Sequence, residues 1–348
     1  MEDFFFSIIL PTYKRYKLLR LVLDGLSRQS YSKFNVIIVT KPSDHETENL
    51  VEEYRNRLET ILVFQRMGYI TEALNLGLKN ATGDIIGFID DDAIPAADWL
   101  QKHAETYRRF DVTGVAGDVI PIVINKGKVK VSCEKEEPPF VYPLSKVGYS
   151  LWNKPLPGAD GYFIYITKSG DIASIGNMAY WRKQGLVRSF LGMGANMTVL
   201  REAISGFTFD GSWILGAGWE QVLAWWVWKN GCHLVYNPEA KVFHVIHGQT
   251  LSRHLSYKKA TLFQAEKELL FYRLYGKEQS LSILYHLISF LYRSALALKK
   301  KERHRLKGIV NGNIIGFKWF VLGKLGLSYD VLRDLEVIYY GEKLAKKF

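Results

Sequence analysis

A largely apolar run, residues 85–89, leads directly into three consecutive aspartates, Asp90, Asp91 and Asp92. The run is rich in β-branched residues and is bounded by turn formers, which predicts a buried strand. Ionised carboxylates are costly to desolvate, so they are expected at the carboxyl end of this strand, open to water or to a cation. Ligands of open α/β sheets bind at that edge, and clustered carboxylates suit Mg²⁺ or Mn²⁺ and hence a diphosphate. The alternative is an acidic helix N-terminus, because residues 93–110 are predicted to be helical.

The flanking segments alternate between strand and helix patterns. Strands are predicted at 4–10, 35–39, 60–64 and 85–89, with helices at 15–30, 43–58 and 70–79 between them. This order indicates an α/β fold with a mostly parallel sheet and right-handed crossovers. No glycine-rich dinucleotide or P-loop motif follows the first strand, so a bound diphosphate needs the aspartates and a cation as its counter-charge.

Composition leaves several partner classes open. The chain has 348 residues, 48% of them hydrophobic, which allows one large domain or two smaller ones. Its net charge of +11 could favour nucleic acid, anionic lipid or phosphorylated substrates. The two cysteines, Cys133 and Cys232, form neither a disulfide framework nor a zinc pattern, which fits a reducing compartment.

Four motifs resemble, in order, those of a family 2 glycosyltransferase with the GT-A fold. They are residues 7–13 (SIILPTY), 81–84 (ATGD), 88–92 (FIDDD) and 192–197 (GMGANM). The resemblance covers roughly residues 4–120 and 190–250. It implies an α/β fold, a GT-A type three-layer αβα sandwich with a mostly parallel central sheet. The implied parts are a nucleotide-sugar half (1–120), an acceptor half of the same domain (121–253) and a helical C-terminal region (254–348).

The resemblance assigns donor-binding roles to the first half. Pro11, Thr12 and Tyr13 would line the nucleotide pocket, with the Tyr13 ring on the base. In that family the second strand often ends in an acid that binds the base, whereas Lys41 and Pro42 stand here. Asp44 either reads the base or caps the next helix. The other donor-binding residues expected are Arg66, Asn75, Asp84, Asp90 and Asp91, with Asp91 toward the ribose.

The metal site implied by the resemblance contains Asp92, with Asp90 beside it. A histidine is expected after the strand near residue 240, and His244 matches that position best. His247 competes for the same role, and the histidine that does not bind metal would contact a phosphate or the acceptor.

A tryptophan-rich segment contains Glu220, the candidate catalytic base. The predicted helix at 222–229 ends at an Asn-Gly pair, a helix stop. The family usually has Glu-Asp ahead of this helix, and counting back from Gly231 puts Trp219 and Glu220 at those positions. Partial burial would raise the pKa of Glu220 and the helix N-terminus would lower it, a balance suited to a general base. The alternative is an ordinary helix-start acid. Acceptor contacts are expected from Trp219, Trp181 and Asn196.

The last hundred residues are predicted to be helical. A mostly apolar helix at 281–298 precedes a basic cluster at 299–307, and residues 316–323 add an amphipathic aromatic patch. Such helices are typical of peripheral contact with an anionic membrane, whereas a packed subdomain or a homo-oligomer interface is the alternative. No signal peptide is recognised, so the expected location is cytoplasmic, peripheral at the cytoplasmic face of the membrane.

These features predict a metal-dependent, inverting glycosyltransferase of the hexosyltransferase class, with Mg²⁺ or Mn²⁺ as cofactor. Its donor would be a nucleoside-diphosphate sugar and its acceptor a glycan or a lipid-linked hydroxyl. One alternative is a catalytically degenerate scaffold subunit, suggested by the missing acid after the second strand. The other is a basic nucleic-acid-binding protein, but nucleic acid is not expected as a partner because the sequence contains no recognition motif for it.

Overall fold

The structure is a computed structural model that describes residues 3–132, 153–190, 192–247, 256–275 and 280–340. The strands are β1 (Phe6–Pro11), β2 (Phe34–Thr40), β3 (Thr60–Phe64), β4 (Ile85–Phe88), β5 (Ala93–Pro95), β6 (Gly114–Asn125), β7 (Lys128–Val131), β8 (Ile164–Ile166), β9 (Ile172–Ser174), β10 (Val187–Ser189), β11 (Met197–Leu200) and β12 (Leu234–Val245). The helices are α1 (Tyr16–Leu26), α2 (His45–Tyr54), α3 (Ile70–Asn80), α4 (Trp99–Arg109), α5 (Met178–Trp181), α6 (Trp219–Lys229), α7 (Tyr257–Tyr275), α8 (Ile283–Lys299), α9 (Arg303–Lys324) and α10 (Val331–Tyr340).

One mixed sheet organises the described residues, in the order β3-β2-β1-β4-β11-β6-β12-β10-β8-β9. The first four strands are parallel, as the alternating sequence pattern predicts. β11 then runs antiparallel to both β4 and β6, and β12 is parallel to β6. β6 crosses the predicted boundary at residues 120 and 121, so the two halves share this sheet.

Helices cover both faces of the sheet because successive side chains of its buried strands point to opposite sides. In β1, Ile8 packs with residues of α1, α2 and α4, whereas Ile9 packs with residues of α3 and α6. Both side chains are fully buried. The predicted α/β sandwich with a mostly parallel sheet is therefore confirmed.

The segment after the aspartates differs from its prediction. Residues 93–110 were expected to form one helix, but Ala93–Pro95 is a short strand and the helix begins only at Trp99. β5 pairs antiparallel with β12, with Ala93 opposite His244. Pro95 disfavours a helical conformation at the residue before it, so the chain stays extended there.

The C-terminal helices pack closely through glycines. A Cβ on Gly308 would lie 2.4 Å from the Cβ of Gln264, and one on Gly312 would lie 2.5 Å from the carbonyl oxygen of Ala265. Gly316 similarly faces the ring of Tyr272, so α9 lies against α7 along a face without side chains. Among the described residues, no helix has the length and apolar character needed to cross a bilayer. The predicted boundary at residues 253 and 254 falls outside the described residues.

Candidate active site

A cavity of about 570 Å³ opens at the carboxyl edge of the parallel strands. Its wall is formed by the ends of β1, β2 and β4, the start of α3 and the segment that leads into α6. Because the carboxyl ends of parallel strands meet at one sheet edge, residues from distant parts of the chain converge here. The cavity has the size and position of a small-molecule site.

Asp91 joins the β1 loop to the β4 loop. Its Oδ2 accepts a hydrogen bond from Oγ1 of Thr12 at 2.7 Å, and its Oδ1 accepts one from the guanidinium of Arg15 at 2.8 Å. The residue is 5% exposed, and burial raises the pKa of its carboxyl although Arg15 opposes that rise. Both oxygens are therefore engaged by the protein, which fixes the two loops relative to each other.

Asp92 lies between two histidines. Its Oδ1 is 2.9 Å from Nε2 of His244, and its Oδ2 is 2.8 Å from Nε2 of His247. The pairing of β5 with β12 produces this arrangement, and the amide of Val245 also donates to the carbonyl of Asp92. Desolvation pushes the pKa of Asp92 upward, but the contacts with His244 and His247 outweigh it and hold the pKa below its ordinary value.

Asp90 offers the accessible carboxylate of the triplet. Its side chain is 46% exposed, whereas that of Asp92 is 4% exposed. Partial desolvation by the cavity walls and the nearby charge of Asp92 raise the pKa of Asp90 to about 7. Glu220 contributes a smaller rise, which shows that these carboxyl groups share one electrostatic environment.

The donor set of Asp90, Asp92 and His244 fits a divalent cation. Ligand atoms of the three side chains lie within 4.8 Å of one another. Oδ1 of Asp92 is buried and accepts no hydrogen bond with good geometry from the described residues, although Nε2 of His244 is close to it. Carboxylate oxygens are common ligands of both Mn²⁺ and Mg²⁺, and an imidazole nitrogen suits a transition metal such as Mn²⁺ better than Mg²⁺.

Glu220 lies in the first turn of α6 and lines the same cavity. Desolvation raises the pKa of its carboxyl to about 7, although hydrogen bonds from its own amide and from that of Gly194 oppose the rise. Gly218 precedes the helix with a left-handed φ of 80°, so the chain turns sharply into α6. A carboxyl group with a pKa near neutrality can accept a proton from a bound hydroxyl.

Comparison with known proteins identifies the family to which these residues belong. Residues 7–163 match the sequence profile described as glycosyl transferase family 2. This stretch of the chain is therefore similar to the family 2 glycosyltransferase domain. A relative from Methanococcus voltae is 30% identical over 161 residues, covering 42% of this chain and 47% of the relative. That protein is named dolichyl N-acetyl-alpha-D-glucosaminyl phosphate 3-beta-D-2,3-diacetamido-2,3-dideoxy-beta-D-glucuronosyltransferase. The chain spans about half or less of the length of the curated relatives matched first.

Solved structures confirm the GT-A fold. A mannosyltransferase from Pyrobaculum calidifontis in complex with GDP-Man and Mn²⁺ has a TM-score of 0.52 and 16% identity, covering 99% of this chain and 89% of that protein. Residues 1–349 of S. aureus TarS in complex with UDP-GlcNAc have a TM-score of 0.51 and 14% identity, covering 93% of each chain. At this level of identity the likeness shows the fold alone.

The loop predicted to bind the nucleotide follows β1. Pro11, Thr12 and Tyr13 line the cavity, and the ring of Tyr13 is 43% exposed. Asp44 is 1% exposed and lies outside the cavity lining. Its carboxylate accepts hydrogen bonds from the amides of Lys14 and Thr47. The capping alternative for Asp44 is therefore confirmed, because it caps α2 and holds the loop in place instead of facing a base.

Three predicted donor residues do not reach the cavity of the glycosyltransferase domain. Asp84 accepts a hydrogen bond from the amide of Phe5 at the opposite edge of the sheet. Asn75 is hydrogen-bonded to both the amide and the carbonyl of Phe209, and it lines a separate cavity of about 1070 Å³ with Asp84. Arg66 is exposed and outside the lining. The predictions for Asp84 and Asn75 were wrong because a polar residue near a motif carries no local signal of where its side chain points, whereas the donor role of Arg66 stays a prediction.

The three predicted acceptor residues do not lie together in the structure. Asn196 is fully buried and bonds the Trp99 ring nitrogen and the carbonyls of Asp118 and Ala240, so it is a core residue. Trp181 is 5% exposed and donates to the carbonyl of Ile175, so it also cannot contact an acceptor. Trp219 alone lines the cavity, where its ring packs against Phe88 and Phe209.

Sequence reasoning missed several residues of the family 2 site. Arg15 neutralises part of the acidic triplet, and its position just after the Tyr13 loop was the signal that could have identified it. Gln65 and Tyr69 form the wall after β3, and Phe263 of α7 reaches the cavity from the C-terminal region. No local pattern marks Phe263, because its role depends on the docking of α7.

Proposed function

We propose that this family 2 protein is a metal-dependent, inverting glycosyltransferase that moves a sugar from a nucleoside-diphosphate sugar to a hydroxyl acceptor. The observation that carries the proposal is the convergence of two groups on one cavity. One group is Asp90, Asp92 and His244, which suits a cation, and the other is Glu220, a carboxyl with a pKa of about 7. The mannosyltransferase and TarS structures, which contain GDP-Man and UDP-GlcNAc, support a nucleotide-sugar donor.

The donor would lie along the carboxyl edge of the parallel strands. The exposed ring of Tyr13 offers a stacking surface for the base, and Lys14 and Lys41 lie over that ring at 5.2 and 5.4 Å. These lysines add positive charge beside a phosphate-bearing ligand. Asp90 is the accessible carboxylate of the triplet, so we assign it, in place of Asp91, to direct contact with the donor.

Asp90, Asp92 and His244 would hold the cation, and His247 fixes the second oxygen of Asp92. When bound, a divalent cation stabilises the negative charge that grows on the leaving diphosphate. Arg15 contacts both Asp91 and Asp92, and its positive charge favours the ionised form of these two carboxyl groups. The protein thereby provides a preorganised charge environment for the leaving group.

Glu220 would act as the general base. It takes the proton of an acceptor hydroxyl while that oxygen bonds to the anomeric carbon and the bond from this carbon to the diphosphate breaks. Attack from the face opposite the leaving nucleoside diphosphate inverts the anomeric carbon. The amide of Gly194 donates to this carboxylate, and the ring of Trp219 lines the same cavity.

The acceptor proposal extends to lipid-linked glycans. The Methanococcus voltae relative carries a dolichyl-phosphate-linked acceptor in its name. In this chain, α8 and α9 expose apolar side chains at helical spacing, and those of α9 point away from the glycine face that contacts α7. We call this set the apolar stripes: Leu284, Leu287, Leu291 and Leu298 of α8, and Ile314, Phe317 and Val321 of α9 with Leu325 directly after it.

We propose that the apolar stripes dock on an anionic bilayer. Lys299 ends α8 and Lys300 and Lys301 follow it, all three exposed, and Lys318 and Lys324 lie beside the stripe of α9. Apolar side chains beside basic ones match the acyl and headgroup layers of an anionic membrane, with about 1 kcal/mol for each Lys or Arg near the surface. The predicted location at the cytoplasmic face is part of this proposal.

Vesicle co-sedimentation tests the docking. The protein should bind vesicles of phosphatidylglycerol and phosphatidylcholine, and binding should weaken with salt and on vesicles of phosphatidylcholine alone. Replacing Leu284, Leu287 and Leu291 together by Gln should reduce binding at least tenfold. A control replaces Val129 and Val131 of β7, which are 62% and 46% exposed, by Gln. Equal loss in both variants would contradict the proposal.

A transfer assay tests the enzymatic function. The protein is incubated with Mn²⁺, a panel of nucleoside-diphosphate sugars and a lipid-linked sugar acceptor, and release of nucleoside diphosphate is followed with sugar transfer. At least one donor should give product whose anomeric configuration is inverted. Absence of turnover for the whole panel in the presence of an acceptor extract would count against the proposed function.

A further inference from the structure

The segment that leads into the candidate base is held by a helix of the C-terminal region. We call residues 210–217 the approach segment, since α6 and Glu220 follow it. Oε1 of Glu266, on α7, accepts hydrogen bonds from the amides of Ile214 at 2.7 Å and Leu215 at 3.0 Å. Its Oε2 accepts one from the amide of Ala217 at 3.1 Å. One carboxylate therefore binds three backbone amides of the approach segment.

The backbone is shaped to enclose this carboxylate. Gly216 has a φ of 71° and Gly218 a φ of 80°, both in the left-handed region that favours glycine. Successive amides in such a conformation form a concave anion site, and here the anion is the protein's own side chain. Glu266 is fully buried, so the three amides replace the water that its carboxylate loses.

Arg273, two turns further along α7, holds the start of the approach segment. Its guanidinium donates to Asp210 and, at 2.6 Å, to the hydroxyl of Ser212, and it lies over the ring of Trp213 at 4.7 Å. Both α7 residues thus fasten the approach segment along its length. The C-terminal region therefore holds the approach segment at the point where this segment joins the wall of the cavity.

The fastened residues are the ones that form the site. Ile214, Leu215 and Ala217 line the cavity together with Glu220. We infer that Glu266 is a positioning residue for sugar transfer: it fixes the approach segment and, through it, the carboxylate of Glu220. The catalytic role of Glu220 in this inference rests on the proposed function. The fastening of the approach segment rests only on the hydrogen bonds of Glu266.

Glu266→Gln is the variant that tests this inference. Glutamine keeps the volume but replaces one acceptor oxygen by an NH₂ group, so at least one amide of the approach segment loses its acceptor. A base displaced by about 1 Å costs on the order of 10²-fold in rate. We expect kcat to fall about 10- to 100-fold, while KM for the donor changes less than threefold because the β1 and β4 loops are untouched.

Glu268→Gln is the matched control. Glu268 lies on the same helix, is 1% exposed, and bonds Gln264, Asn313 and Arg293 instead of the approach segment. This variant should be destabilised as much as Glu266→Gln, yet kcat should stay within about twofold of wild type. An equal fall of kcat in both variants, or no fall in folded Glu266→Gln, would overturn the inference.

Hydrogen exchange gives a readout that does not depend on activity. In the wild-type protein the amides of Ile214, Leu215 and Ala217 should be protected like core amides, and Glu266→Gln should accelerate their exchange at least tenfold. If these amides are protected in the wild type but the protein transfers no sugar, the proposed function is refuted. The fastening of the approach segment by Glu266 would then still stand. Rapid exchange of these amides in the wild type would refute the fastening even if the Gln variant does not fold.

Discussion

Gly194 and Glu220 are in direct contact across the candidate active site. The amide of Gly194 donates to the carboxylate of Glu220, and a Cβ on Gly194 would lie 2.6 Å from Oε1 of Glu220. The same Cβ would lie 2.6 Å from Cζ2 of Trp219. No side chain fits between residue 194, which lies just before β11, and the start of α6. Glycine at residue 194 therefore allows the candidate base to occupy its position.

Gly194→Ala should therefore displace the Glu220 carboxylate and reduce kcat by about 10- to 100-fold. Gly323→Ala, in α9, is the control, because a Cβ there meets no atom within 4 Å and its φ is not left-handed. Steady-state kinetics on both variants measure the effect. Wild-type turnover in a folded Gly194→Ala protein would show that the contact does not position the base.

Glu220→Gln should lower transfer by about 10²- to 10⁴-fold, the range typical of a lost general base. Donor binding should change little, since none of the proposed cation ligands changes. Transfer kinetics and donor titration are measured on the same preparation. Turnover within tenfold of wild type would remove Glu220 from the mechanism.

The pKa of Glu220 predicts the pH dependence of transfer. With saturating Mn²⁺, which keeps Asp90 ionised, kcat/KM for the acceptor should fall about tenfold per pH unit below pH 7 and level off above it, because only the ionised carboxylate accepts a proton. A pH-rate profile checks this. A profile that is flat between pH 5 and 8 would contradict the assigned pKa of about 7.

The raised pKa of Glu220 also predicts how stability depends on pH. The rate should rise with pH, whereas the contribution of this residue to stability should fall. Folding raises the pKa of Glu220 from 4.5 to about 7, so its contribution to stability is present below pH 4.5 and is lost as the pH rises through 7. At pH 8 the wild type holds a partly desolvated charge that Glu220→Gln removes. The Gln variant should therefore melt at a higher temperature than wild type at pH 8, and this difference should shrink toward pH 5 in thermal-shift measurements.

Much of the donor half could be predicted from sequence because its strands are continuous buried apolar runs. β1, β2, β3 and β4 lie within one or two residues of their predicted bounds, and the aspartates lie at the carboxyl edge as desolvation requires. These signals are local. A run of five apolar residues before a charged turn indicates a buried strand whatever the rest of the chain does.

The remainder of the site depends on contacts between distant segments. β5 has only three residues, one of them proline, so no periodicity identifies it, yet its register with β12 brings His244 to Asp92. Glu266 lies between Ala265 and Lys267 in an ordinary helical pattern, and nothing local separates it from an exposed glutamate. Asn75 likewise matched a donor role by position, although its amide bonds Phe209 instead.

Replacement of glycine by alanine should have opposite effects on stability at two positions of α9, depending on whether the glycine faces α7. Gly312→Ala should destabilise the protein by about 1–3 kcal/mol, since the added Cβ meets the backbone of α7. Gly323→Ala, also in α9 but with open space around it, should stabilise it by about 0.5–1 kcal/mol through helix propensity. Urea unfolding measures both values. Stabilisation by both substitutions would show that the two helices are not in close contact.

The contact of Asp92 with His244 and His247 leads to the most direct test of the donor site. Isothermal titration calorimetry compares wild type, Asp92→Asn and Asp84→Asn with a panel of nucleoside-diphosphate sugars, with and without Mn²⁺. Asp84 is the control because it lies at the opposite edge of the sheet. The account predicts that at least one donor binds the wild type and Asp84→Asn in a Mn²⁺-dependent manner, and that Asp92→Asn weakens this binding at least tenfold. Absence of binding across the panel, or equal affinity in all three proteins with and without Mn²⁺, would contradict it.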